Sequence, residues 1–174
     1  MSNLLPRSNS NRLDSATALP LQFLKFMLCP GTKAMLPIKQ ITEILNIQPT
    51  QIMPIPQMPA WVMGVYNWRG EILWAIDLPQ LLGLDSCYRH QHERSKHTAI
   101  VLSPDREGEN KIHLGSIVSE VDGLEYCDPT AIQSSMDDSH LSSFSQGYWL
   151  EPSGEMVLAL EGKAIAAAMP SHRH

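Results

Sequence analysis

Cysteine is scarce and shows no paired spacing: Cys29, Cys87 and Cys127 lie far apart and form no CxxC. An odd, sparse count excludes a disulfide framework and reads as free thiols in a reducing cytoplasm. Long apolar runs are absent as well. The stretch from Ala164 to Met169 is among the longest, far short of the ~20 residues a membrane helix needs, so no direct membrane insertion is expected. Residues 1–18 carry Arg7 and Arg12 but no apolar run. They are read as a disordered N-terminal tail rather than a secretory signal. Basic charge is in short supply, with 13 Lys and Arg against 18 Asp and Glu and a net charge of −5. Such a field repels phosphate backbones and excludes nucleic acid as the first choice of partner. The sequence has no GxSxG elbow, no GxxxxGK[ST] loop and no GxGxxG, so neither an activated serine nor a phosphate cradle is in view.

What is present is globular. The chain has 174 residues, of which 43% are hydrophobic and 18% charged, room for one ordinary domain or two very small ones. At this length about 70% of the surface of the unfolded chain can be buried, enough for a core without metal or disulfide. The apolar pattern comes in short pieces. LQFLKFML (21–28), stopped by Cys29-Pro30-Gly31-Thr32, and AMLPI (34–38) form a predicted hairpin with Pro37 at a strand end. IKQITEIL (38–45) spaces Ile38, Ile41 and Leu45 at three and four residues, which permits a helical turn but is too short to decide. Four prolines between 49 and 59 predict a stiff, partly extended connector.

The most patterned stretch is 61–78. WVMGVYN and EILWAIDL flank a turn at Arg69-Gly70, a tight hairpin with Ile72, Trp74, Ile76 and Leu78 on one face and Glu71 and Asp77 on the other. PQLLGL (79–84) reads as a one-turn helix, and 86–96 as a polar surface loop. Strands are predicted at 97–103 and 111–121, with another opening at Gly123 and running to Cys127. The Ser-rich stretch 133–147 reads as a mobile loop, followed by a hairpin across PSGE and an Ala-rich helix over 162–169. Many short strands and little helix predict an all-β barrel or sandwich.

One cluster invites a metal. Cys87, His90, His92 and His97 crowd a single loop, and His92-Glu93 followed by His97 approaches the zinc-protease HExxH pattern. The spacing is five residues rather than four, which turns the second ring away by roughly 140° on a helix. Solvated loop histidines are the favoured reading, and a metal-binding sensor or enzyme is the alternative. No other catalytic constellation is visible and no cofactor is expected, which tilts the chain toward a binding role.

FLKFML, LPIKQITEIL and MPAWVMGVYNWRGEILWAIDLPQLLG, in that order, together resemble the CheW family of chemotaxis coupling proteins. The likeness covers residues 20–168, and HLGSIVSEVDGL (113–124) carries it in the second half. NWRGEILW, with its two tryptophans, is most similar to members associated with pilus motility or phototaxis. The resemblance implies two SH3-like five-stranded barrels around a shared core within 19–169, with 170–174 a flexible C-terminus. It implies a non-enzymatic cytoplasmic adaptor, recruited to membrane-associated receptor arrays, with a decoupled paralogue that takes array positions without activating a kinase as the alternative within the family. One surface would bind the regulatory domain of a CheA-type histidine kinase, another the cytoplasmic tip of a chemoreceptor.

The resemblance also implies where that receptor groove lies. Ile41 matches an aliphatic groove position, Glu43 an acidic one, and Gly64 the glycine before the strand. Asn67, Arg69 and Gly70 match an N-x-R-G motif in which the arginine meets the acidic residue. Trp68, at the rim of the turn, is expected to be an exposed interface anchor. Each position also has a purely structural reading: Ile41 as core, the glycines as backbone necessities, Asn67 as a turn former.

Overall fold

The computed structural model describes residues 19–86, 96–103, 112–134 and 139–170. In chain order its strands are β1 (Leu21–Cys29), β2 (Thr32–Pro37), β3 (Ile41–Ile47), β4 (Val62–Trp68) and β5 (Glu71–Asp77), then β6 (His97–Leu102), β7 (His113–Val118), β8 (Glu120–Cys127), β9 (Ser145–Leu150) and β10 (Met156–Leu160). Short helices α1 (Leu78–Leu81) and α2 (Gly162–Ala167) follow β5 and β10. The strands form two five-stranded sheets, ordered β3-β6-β7-β5-β4 and β8-β1-β2-β10-β9. The first hairpin, β1–β2, thus completes the sheet made by the last third of the chain. The parallel pairs β5–β7 and β2–β10 tie distant segments together within each sheet.

Each sheet is closed by the same device. After β3 the chain makes a 3-10 turn at Pro49–Gln51, and Met53 then pairs with Val65 of β4, the opposite edge. After β8 a 3-10 turn at Pro129–Ala131 delivers Gln133 to Tyr148 of β9. Residues 41–53 and 121–133 therefore play matching parts, and Pro49-Thr50-x-Ile52 is repeated as Pro129-Thr130-x-Ile132. A proline opens each turn, where its missing N–H costs nothing. Joining the two edges turns each open sheet into a small barrel and leaves few unpaired strand groups. Gly64 and Gly147 make the closure possible. A Cβ on Gly64 would lie 2.2 Å from the Met53 carbonyl oxygen, and one on Gly147 2.0 Å from that of Gln133.

Three apolar clusters follow from this arrangement. The largest joins Leu24, Phe26 and Leu36 of one sheet to Ile76, Ile100 and Leu114 of the other, the shared core between the barrels. Ile47, Trp68, Leu73 and Val101 fill the first barrel, and Phe23, Met35 and Val157 the second. Strands with one face in a barrel and the other in the shared core are buried on both sides, which is why their sequences run apolar rather than alternating. Across the junction, the Gln40 side chain donates to Glu161 and accepts from the Gly162 N–H, both at 2.8 Å.

Several expectations change in detail. The segment 38–45 is a single 3-10 turn at Ile38–Gln40 followed by strand, because Ile41 and Ile47 pair with Leu102 and His97 of β6. Asp77 is buried, not solvent-facing: its carboxylate caps α1 by accepting from the Gln80 N–H at 3.1 Å, and it accepts from the Ser86 hydroxyl. Ile72 is exposed while Leu73 is buried, so the first turn of β5 reverses the expected faces. β8 starts at Glu120 rather than Gly123. Within 133–147 the described residues include a 3-10 helix at His140–Phe144 and the start of β9. The tail 1–18, most of the loop 86–96 and the turn 105–110 lie outside the described residues. Cys29 and Cys127 are free thiols, as expected.

Candidate functional site

β3 alternates: Thr42, Ile44 and Asn46 are exposed, while Ile41, Glu43 and Leu45 are partly covered. The pairing with β6 slips between Ile41 and Glu43, a bulge that frees Thr42 from the ladder. Ile41 rests against the shared core, and Leu45 against the core of the first barrel. Between them Glu43 faces the far edge of its own barrel, where β4 turns into β5.

That turn has two central residues. Arg69 and Gly70 both take positive φ, 54° and 84°, the mirror-image turn that matches the twist of a hairpin. Asn67 fastens it, its Oδ1 accepting from the Gly70 N–H at 3.0 Å. Asn67 and Gly70 are therefore turn-builders, and what they present is Trp68 and Arg69. Trp68 is not the exposed anchor expected at the rim. It is 8% exposed and packs with Leu73, Val101 and Ile117, because the strand period that turns Asn67 outward turns its neighbour in.

Glu43 meets both residues. Its Oε1 accepts from the Trp68 indole N–H and its Oε2 from Arg69 Nη2, the latter at 2.7 Å. The Arg69 guanidinium also lies 5.3 Å from the centre of the Trp68 ring, close enough for a cation–π contribution. Arg69 is 71% exposed and Glu43 only 23%. One carboxylate thus satisfies a buried indole with one oxygen and holds an outward-facing cation with the other. Indole N–H groups need an acceptor when buried, so Glu43 is structural and surface-forming at once.

Behind the indole stands His113, the first residue of β7. Its ring centre is 5.0 Å from that of Trp68, tilted by 60°, and its Nε2 lies 2.7 Å from Glu71 Oε2. Sequence reasoning passed over His113. Its place is set by the parallel pairing of β5 with β7, which brings it opposite Leu73, and no local pattern announces a parallel partner some forty residues away. Of the residues assigned to the groove, the structure brings together Glu43, Trp68 and Arg69, with Asn67 and Gly70 forming the turn. Ile41 is two residues along the same strand. Gly64 stands apart, inside β4 rather than before it, where close approach to Met53 accounts for it fully.

A concave feature lies elsewhere, at the junction of the barrels. A cleft of about 610 Å³ is lined by Phe23, Pro37, Gln40, Gln146, Glu161 and Lys163, among others. For the metal alternative, Cys87, His90 and His92 lie outside the described residues. His97 opens β6 half-buried, and burial pushes its imidazole below the ordinary histidine value against the pull of Asp77. Among the described residues no three metal-binding side chains come together.

The chain matches the CheW-like domain over residues 22–169. Among solved structures it is similar to the scaffolding protein TtCheW from Thermoanaerobacter tengcongensis, with a TM-score of 0.68 and 19% sequence identity over 82% of this chain and 85% of that one. No curated protein sequence matches it significantly. With strands, barrel closure and the 22–169 match in agreement, the chain belongs to the CheW-like domain family.

Proposed function

We propose that the protein is a non-enzymatic adaptor that couples the cytoplasmic tip of a chemoreceptor to the regulatory domain of a CheA-type histidine kinase. The observation that carries this reading is the Glu43–Trp68–Arg69 arrangement, in which a hairpin turn presents an exposed guanidinium held by a partly covered carboxylate. Two exposed apolar side chains lie at the same end of the barrel, Ile72 of β5 at 63% exposure and Ile112, just before β7, at 46%, each one residue before the Leu73–His113 pair. An oriented cation and exposed apolar side chains at one end of a barrel suit a helical protein partner better than a small substrate. Ile41, Glu43 and Arg69 line the receptor side of the site, while Asn67, Gly70 and Trp68 fix its shape.

An adaptor of this kind works in the cytoplasm and reaches the membrane by binding receptors. No helix among the described residues is long and apolar enough to cross a bilayer. The tryptophans at 68 and 74 favour a pilus or phototaxis output, which a deletion strain distinguishes by losing twitching or light-directed movement while keeping swimming. Pull-down of the purified protein with the kinase and receptor encoded beside it tests the central reading. Capture of both supports it, and capture of neither overturns it.

A further inference from the structure

The two barrels carry matching ion pairs with one difference. In the second barrel Lys33 of β2 pairs with Glu155, two residues before the Val157–Lys33 position of the β2–β10 ladder. In the first barrel His113 pairs with Glu71, two residues before the Leu73–His113 position of the β5–β7 ladder. The same place in the fold therefore holds a fixed cation in one barrel and an imidazole in the other. Histidine is the side chain whose ordinary charge change falls between pH 5 and 8.

The surroundings make that charge matter. His113 is 16% exposed against 61% for Glu71, so the pair sits under the turn with its acid toward solvent. The imidazole lies against Trp68, whose indole N–H is held by Glu43. Its other nitrogen, Nδ1, is buried and has no hydrogen-bond partner among the described residues. Neutral His113 with its proton on Nε2 donates to Glu71 and leaves Nδ1 as a spare acceptor, a modest cost. Protonation makes the Nε2 bond charge-assisted, roughly twice as strong, and places a cation beside the indole. It also creates a buried N–H with no acceptor. Among the described residues the charged group in contact with the ring is Glu71 of β5, and Arg69 and Glu43 reach it only through Trp68, against which both lie. On the other side β6 ends at Leu102, and its own histidine, His97, lies at the opposite end of the strand.

We propose that His113 is a proton-responsive latch on the Glu43–Trp68–Arg69 site, pinning the indole between itself and Glu43 when protonated and releasing that grip when neutral. The latch acts on the packing of Trp68 and so on the pose of Arg69. Its effect on partner binding rests on the adaptor reading above, whereas the proton response itself does not.

The test is an NMR titration of the full chain from pH 8 to pH 5, following the Trp68 indole N–H resonance. The expected result is a single step in that resonance that coincides with titration of the His113 ring. His113→Lys, which copies the fixed cation of the other barrel, abolishes the step. His113→Gln, a neutral replacement of similar reach, abolishes it too and keeps the test sound if the lysine variant folds poorly. A flat indole resonance in the wild type, or a step that persists in both variants, overturns the proposal. If the step is present but the receptor tip does not bind at any pH, the adaptor reading falls and the latch stands.

Discussion

Glu43 and Arg69 are 26 residues apart in sequence and joined at 2.7 Å across the mouth of the first barrel. The contact links the edge strand β3 to the turn between β4 and β5, and the same carboxylate holds the Trp68 indole. The two bonds differ in worth. Arg69 is largely in water, so its ion pair contributes only ~0–1 kcal/mol. The indole is buried, and stripping its acceptor costs about 1–3 kcal/mol.

Glu43→Ala is therefore expected to destabilise the fold by more than Arg69→Ala, by about 1–2 kcal/mol in urea denaturation. A double-mutant cycle should return a coupling of up to about 1 kcal/mol between the two residues. Exchanging the charges, with Glu43→Arg and Arg69→Glu together, should restore only part of the loss, since an arginine cannot accept from the indole. Additive single effects would mean that the ion pair contributes nothing to stability and that the loss in Glu43→Ala comes from the indole alone.

Gly64 and Gly147 occupy equivalent closure points, with φ of 144° and 138°. An added methyl group meets a backbone carbonyl at either one, and the backbone angle is itself unfavourable for an L side chain. Gly64→Ala and Gly147→Ala should each cost roughly 2–4 kcal/mol. Gly123→Ala, with φ of 140° but open space around the new methyl, should cost less. Thermal unfolding of the three variants checks this order, and equal losses would show that strain rather than the closing contact dominates.

Stability should also fall in acid through one named pair. The ammonium of Lys25 bonds to Glu151, and both side chains are largely covered. That bond holds the Glu151 carboxyl below its ordinary range and raises the Lys25 ammonium above its own. A depressed carboxylate contributes stability that is present above its unfolded value, near 4.5, and is lost as pH falls through the folded one. The raised ammonium contributes stability that is full below 10.5 and lost only on the far alkaline side. Lys25→Met should then destabilise by about 1–3 kcal/mol at pH 7, with the gap to wild type narrowing by pH 3. Urea melts at the two pH values measure it, and a gap that does not narrow would assign the loss to packing.

The hairpins were legible in the sequence because their turns are local: Arg69-Gly70 and Pro30-Gly31 are flanked by strand-length apolar runs. β3 was not, because Ile38, Ile41 and Leu45 satisfy a helical spacing, and only the pairing of Ile41 and Leu45 with β6 makes the segment a strand. The burial of Asp77 also escaped a two-faced reading, since β5 is covered on one side by its own barrel and on the other by the shared core. The repeated Pro-Thr-x-Ile at 49–52 and 129–132 was passed over in the sequence, where its two copies stand eighty residues apart, and it marks the closing turn of each barrel. At the site, the N-x-R-G turn and Glu43 could be named by resemblance. The inward Trp68 and the His113 behind it depend on strand pairings that only the folded chain reveals.

The most direct test of the adaptor reading is calorimetric titration of the purified protein with two fragments, the receptor's cytoplasmic hairpin tip and the kinase regulatory domain. Arg69→Glu serves as the probe, because it places a second carboxylate beside Glu43 and reverses the exposed charge of the site. Wild-type protein is expected to bind both fragments. The variant should lose receptor affinity by about tenfold or more, equivalent to about 1.4 kcal/mol, while its kinase affinity stays within about twofold. Failure of the wild type to bind either fragment, or an equal loss of both affinities in the variant, would contradict the account.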